Sequence, residues 1–189
     1  MTCIIGLVEN GKVYLGADSS SVSGSEIRKT LNEKAFKRGE YLFAYTSSFR
    51  MGQLLQYSLP IVDPPKLLST SWMVNEFIEI IRGEFKEKGF SKVDNNEEFG
   101  GNFLVGVNGR LFHIFSDFQI NEYVDGFTAD GSGREYALAA MEALKTFISD
   151  PFERIIESIK IADKFCTSIC LPIIVVGDDS FVVSDEISR

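Results

Sequence analysis

Three residues at even intervals could together do chemistry: Thr2, Asp18 sixteen residues later, and Lys34 sixteen later again. With Met1 removed, Thr2 would carry a hydroxyl and a free amine on one residue. That pair is a nucleophile with its own base, because an α-amine with a reference pKa of about 7.7 to 8 can take the hydroxyl proton at neutral pH. Taken singly, Asp18 could cap a turn and Lys34 could be a solvated surface charge.

The elements that would position these groups are legible as strands. Apolar runs at residues 3–8 and 13–18 flank Asn10-Gly11, a strong hairpin signal. A small polar segment, residues 19–25, follows as a loop or as an edge that another extended chain could approach. Residues 34–37 and 41–46 suggest a second hairpin, and residues 71–88 a helix with Trp72, Met73, Phe77, Ile80, Ile81 and Phe85 on one stripe. Residues 91–98 read as a loop. Strand signals return at 103–107 and 110–115 around Asn108-Gly109, then at 119–123 and 127–130. Ser132 is placed as the N-cap of a helix through Tyr136, Ala140 and Leu144. Asp150-Pro151-Phe152-Glu153 announces another helix, to about Cys166, and residues 173–176 and 181–184 close the chain as a hairpin. Antiparallel hairpins with helices grouped between them imply an α+β fold, a four-layer αββα sandwich of two antiparallel sheets. Residues 1–189 are expected to form one domain.

Composition removes several classes. The chain has 189 residues, 44% of them hydrophobic and 16 of them Phe, enough for a filled aromatic core. A net charge of -8 without a basic stripe speaks against nucleic acid as a partner. No run approaches the roughly eighteen apolar residues of a membrane span, and no signal-peptide pattern opens the chain. Cys3, Cys166 and Cys170 are an odd number without CxxC spacing, which implies buried thiols in a reducing compartment; the expected location is the cytoplasm. The single His113 removes HExxH zinc sites and lies in a strand-like run, where a structural histidine is expected. GxGxxG and GxxxxGK[ST] are absent, so no nucleotide cofactor or metal is called for.

The Thr2, Asp18 and Lys34 spacing, the Gly16-Ala17-Asp18-Ser19 context and the block from Asp130 through Gly131-Ser132-Gly133-Arg134 to Ala137 resemble the proteasome β-subunit and the HslV peptidase, within the N-terminal nucleophile hydrolases. The resemblance implies that Thr2 is both nucleophile and, through its amine, general base, and that Lys34 is held by Asp18. It further implies that Ser132 sits near the amine and that a backbone N–H at Ser47 serves the oxyanion. Ser21 and Val22, in the 19–22 segment, would pair with an extended peptide. Lys164 and Thr167 align where the family has an Asp and, three residues on, a Ser, and Thr46-Ser47-Ser48 where it has a Gly pair. The implied activity is threonine-type peptide hydrolysis through an acyl-enzyme, inside a homo-oligomer fed with unfolded protein by an ATP-dependent unfoldase. A hydrolase of small non-peptide amides and a non-catalytic assembly subunit are the alternatives. Phe36 and Tyr45 are candidate walls of a substrate pocket.

Overall fold

The computed structural model describes residues 2–184. The strands are β1 (Cys3–Glu9), β2 (Lys12–Asp18), β3 (Ser20–Ser23), β4 (Glu26–Lys29), β5 (Ala35–Arg38) and β6 (Tyr41–Tyr45). A helical region follows, with α1 (Phe49–Gln53) running into a π-helical turn, Leu54–Ser58, then α2 (Thr70–Trp72), a second π-helical turn, Met73–Phe77, and α3 (Ile78–Glu87). After it come β7 (Lys92–Asp94), β8 (Glu97–Phe99), β9 (Phe103–Val107), β10 (Arg110–Ile114), β11 (Ile120–Asn121) and β12 (Phe127–Gly131). The chain continues through α4 (Arg134–Leu144) and α5 (Pro151–Phe165) to β13 (Ile173–Gly177) and β14 (Phe181–Val183).

Two five-stranded antiparallel sheets, ordered β12-β1-β2-β13-β14 and β11-β10-β9-β6-β5, stack face to face with helices outside both, the αββα arrangement. Strand alternation explains the layering. On β1, Cys3, Ile5 and Leu7 point to α4 and α5, while Ile4 points into the space between the sheets with Val13, Leu15 and Ala17 of β2. On β6, Tyr41, Phe43 and Tyr45 face the first helical region, and Leu42 and Ala44 face the other sheet. Both strands therefore read as continuous apolar runs, because both faces are covered. The outer layer of the second sheet is aromatic, with Phe43, Phe77, Phe85, Phe103 and Phe112 buried there.

The turn chemistry fixes register. Asn10 and Gly11 have φ of 52° and 73°, and Asn108 and Gly109 have φ of 50° and 71°, the pair of positive values that a two-residue type I′ hairpin needs. The first turn pairs Glu9 with Lys12 and so brings Ile4 opposite Ala17. Asp150 caps α5 by accepting from Glu153 N at 2.8 Å.

Several segments differ from the sequence reading. Residues 19–25 are not an open loop: β3 pairs with β4 from Ser20↔Lys29 to Ser23↔Glu26. Residues 91–98 form the β7–β8 hairpin, turned by Asn95 and Asn96 at positive φ. Ser48 caps α1, accepting from Met51 N at 3.4 Å, and starts a helix in a stretch too short for its period to show. Gly133, not Ser132, occupies the N-cap of α4. Cys3 is buried, whereas Cys166 and Cys170 are half-buried, so the expectation of three buried thiols holds for one. Among the described residues, no helix is long and apolar enough to cross a membrane.

Candidate active site

The site lies where the first sheet's inner strands end. The turn at Asn10-Gly11 folds β1 back on β2, so the start of β1 meets Asp18 at the end of β2, and Cys3 N donates to Asp18 Oδ1 at 3.0 Å. Lys34, just ahead of β5, enters from the second sheet. Its ammonium donates to Thr2 Oγ1 at 2.9 Å, to Asp18 Oδ1 at 3.1 Å and to Ser20 Oγ at 3.2 Å. An ammonium has three donors, and each finds an acceptor. The sequence-predicted Thr2, Asp18 and Lys34 are therefore brought together, all nearly free of solvent.

Electrostatics follow from that burial. Desolvation pulls the Lys34 ammonium below the ordinary lysine value, and Asp18 works against it. Asp18 is itself held by N–H donors: Oδ2 accepts from Ser20 N at 2.9 Å and from Cys170 N at 3.4 Å. Because Lys34 donates to Thr2 Oγ1, the Thr2 hydroxyl proton is turned elsewhere, and the positive charge beside Oγ1 favours its loss. Ser20 Oγ passes the network on by donating to Ser168 O at 2.7 Å.

Ser132 closes the other side. It is exposed, and its Oγ accepts from Thr2 N at 3.3 Å and lies 2.9 Å from Ser168 Oγ. The alignment of Thr167 with a serine at this place is corrected: Thr167 is exposed, and the hydroxyl at Ser132 belongs to Ser168. Lys164 is exposed on the last turn of α5. Cys166 Sγ approaches Ser132 Oγ at 3.5 Å and Ser168 Oγ at 3.2 Å. Expected removal of Met1 concerns a residue outside those described, so the Thr2 nitrogen here is a peptide nitrogen.

The loop carrying Ser132 is anchored by Asp130, whose Oδ1 accepts from Gly131 N at 2.7 Å and whose Oδ2 accepts from Asn102 Nδ2 at 2.8 Å. His113, buried on β10, sits 3.2 Å from the same Oδ2, the structural role expected for a strand histidine. Burial opposes the Asp130 charge, but His113, the Gly131 N–H and Asn102 outweigh it and hold the carboxyl below its ordinary value. A depressed folded-state pKa gives stability that is present above about pH 4 and is lost as pH falls through the folded value. Asp130→Asn should therefore flatten the fall in urea-unfolding free energy between pH 5 and pH 3 relative to the parent; parallel curves would contradict it.

A pocket of about 70 Å³ opens beside Thr2, lined by Thr2, Val22, Lys34, Tyr45, Thr46, Ser47, Ser48 and Phe49. Tyr45 is thus a wall as expected, while Phe36 is core, stacked on Phe43 at 5.5 Å. Ser47 has φ of 73°, and its Oγ accepts from Asn102 N at 3.4 Å. The Ser48 N–H is committed to Thr46 O at 2.9 Å, whereas no described residue accepts from the Ser47 N–H. Val22 lines the pocket; Ser21, its half-buried neighbour on β3, does not. Ser20, Ser168, Cys166 and Asp130 were not assigned roles from the sequence. Among the described residues, no cluster of three His, Cys, Asp or Glu side chains could hold a metal ion.

No family model matches the chain, and no curated protein matches it. Solved structures do. BPH from Thiobacillus denitrificans superposes with a TM-score of 0.77 at 23% identity, over 93% of this chain and 96% of that one, and its structure in complex with epoxomicin gives the same score at 22%. HslV from Trypanosoma brucei gives 0.65 at 18%, over 93% of this chain and 98% of that one. Anbu, described as an ancestral β-subunit, from Yersinia bercovieri gives 0.65 at 15%, over 96% and 86%. At these identities the likeness is one of fold, and the chain has the proteasome-like, HslV-like fold of the N-terminal nucleophile hydrolases.

Proposed function

We propose that this chain is a threonine-type peptidase. The observation that carries the reading is the 2.9 Å contact from Lys34 Nζ to Thr2 Oγ1, with Asp18 behind the lysine. Removal of Met1 frees the Thr2 amine, which takes the Oγ1 proton as Oγ1 attacks the carbonyl; general-base help of this kind contributes about 10² to 10⁴ in rate. Lys34 offsets the negative charge on Oγ1, and the Ser47 N–H is the donor for the oxyanion. Collapse gives an ester on Thr2, the amine returns its proton to the leaving nitrogen, and water then cleaves the ester. A peptide lying as an extended strand along Ser21 and Val22 would place one side chain in the pocket walled by Val22, Tyr45 and Phe49. Self-assembly into a chamber, an ATP-dependent unfoldase as feeder and a cytoplasmic location belong to the same reading. The similarly folded BPH binds epoxomicin, a further reason to look for reactivity at Thr2.

A second reading is favoured by the modest pocket of about 70 Å³: a hydrolase of small amides using the same nucleophile. Processed protein assayed on fluorogenic peptides and on a small-amide panel separates the two. In either case Thr2→Ala should lower turnover by about 10³ or more, and a Thr2→Ala protein as fast as the parent would sink both.

A further inference from the structure

A second cavity, of about 390 Å³, opens at the end of β1 far from Thr2. Small-molecule sites span about 300 to 1,000 Å³, so its size is that of a ligand site. Four parts of the chain meet there, and each brings one charge. Glu9 ends β1, Asp125 lies in the turn before β12, Lys145 is the C-cap of α4 and Arg154 sits in the first turn of α5. The Asp125 turn is fixed to β1, because Gly126 N donates to Tyr123 O at 3.1 Å and Val8 N donates to Gly126 O at 2.7 Å. Phe127 and Met141 form the apolar wall.

Arg154 is only 4% exposed, and among the described residues its guanidinium is paired with Glu9 alone. A guanidinium carries five N–H donors in a fixed fork, of which one carboxylate engages two. The Arg154 Nε is buried and has no acceptor. Buried donors nearly always have one, so an unmet donor on a side chain that lines a cavity points to an acceptor brought in from the cavity. Lys145 and Asp125 are exposed, and among the described residues neither is in an ion pair. Two cations are thus balanced by two carboxylates, so a polyanion such as phosphate meets no net positive field, whereas a ligand with one charge of each sign is met at both ends.

We propose that this cavity binds an apolar amino-acid zwitterion, as a free amino acid or as a short peptide with free termini. Its carboxylate is taken by Arg154 and Lys145, its ammonium by Asp125, and its side chain lies on Phe127 and Met141. The fork of Arg154 matches a carboxylate in geometry. The inference does not depend on Thr2 being a nucleophile.

The test uses the full chain carrying Thr2→Ala, so that no peptide is turned over, with isotope-labelled methionine methyl groups read by NMR. Met141 reports on this cavity, and Met51, which follows Ser48 and Phe49 of the Thr2 pocket, reports on that one. Leucine and leucyl-leucine should shift the Met141 signal saturably, at least one of them with Kd below about 1 mM, and leave Met51 in place. Either ranking supports the site and tells free amino acid from peptide. N-acetylleucine and leucinamide, each lacking one charge, should bind about tenfold more weakly. Lys145→Ala and Asp125→Asn should each weaken binding about threefold or more, and Arg154→Gln combined with Glu9→Gln, which leaves no lone carboxylate behind, about tenfold or more. If that double variant does not fold, the two variants at exposed positions decide. No shift at Met141, a shift at Met51 alone, equal binding of leucinamide, a response to inorganic phosphate in place of the zwitterions, or unchanged affinity in both Lys145→Ala and Asp125→Asn would each overturn the proposal.

Discussion

Lys34→Met should lower hydrolysis by about a thousandfold or more while the protein stays folded. Methionine keeps much of the length and volume of the side chain but removes all three donors, so Thr2 Oγ1, Asp18 Oδ1 and Ser20 Oγ each lose a partner. The rate falls because the charge that develops on Oγ1 is then met by no cation in a site from which solvent is excluded. Stability falls too, since the side chains of the pair are 1% and 0% exposed and Asp18 is left as an uncompensated buried charge. Breaking such a pair costs about 3 to 5 kcal/mol; the backbone donors from Cys3, Ser20 and Cys170 that remain on Asp18 place the loss at the lower end. A Lys34→Met, Asp18→Asn double variant separates the two effects. It should regain most of the stability in urea unfolding and none of the activity. A double variant that regained activity would show that the cation beside Oγ1 is not needed.

Gly131→Ala should be the most damaging small change in the site, although Gly131 touches no reacting atom. Its φ of 94° is one that residues with a side chain rarely adopt, and a Cβ there would stand 2.1 Å from Thr2 O and 3.3 Å from Thr46 Oγ1. The first contact is backbone, so no rotamer change relieves it. Cys3 pairs with Gly131 across β1 and β12, and the clash must therefore either part that ladder or push Thr2 off Lys34. We expect a loss of about 3 kcal/mol or more, equivalent to a fall of about 6 to 12 °C in Tm for a chain of this size. Activity should fall further than stability explains, because displacements of about 1 Å at a reacting atom can cost a hundredfold. Gly133→Ala is the control: there the nearest atom is the flexible tip of Ile169, at 2.4 Å. Thermal unfolding of the two variants checks the ranking, and equal melting temperatures would contradict it.

The centre of this arrangement was legible in the sequence because it is local. Once Asn10-Gly11 is read as a two-residue turn, antiparallel pairing obliges the start of β1 to meet Asp18, and only Lys34 needs the second sheet. The Asp150-Pro151 start of α5 and the Asn108-Gly109 turn were equally readable, since cap and turn chemistry lie within a few residues. Of the groups around the Thr2 nitrogen, Ser132, 130 residues away, is reached only through the resemblance carried by its block, and Ser168 and Cys166 lie in an irregular segment after α5 whose register no periodicity fixes. A one-residue difference there decides between Thr167 and Ser168. The short helix after Ser48 escaped for a related reason, as five residues of α1 and a π-helical turn display no 3.6-residue stripe. Cap preference places Ser132 at the head of α4 and the family resemblance places it beside the Thr2 amine; its hydroxyl is engaged with Thr2 and Ser168, and Gly133 takes the cap position.

Everything proposed for the site depends on Thr2, freed of Met1, being a reactive nucleophile. Intact-mass measurement of the purified protein before and after incubation with a small epoxyketone or β-lactone tests it most directly. The expected result is a starting mass without Met1, a gain of one reagent per chain that peptide mapping assigns to Thr2, and no gain in Thr2→Ala or Lys34→Met. A parent chain lacking Met1 that remains unmodified, or one whose label maps to Cys166 or Cys170 and survives Thr2→Ala, would contradict it.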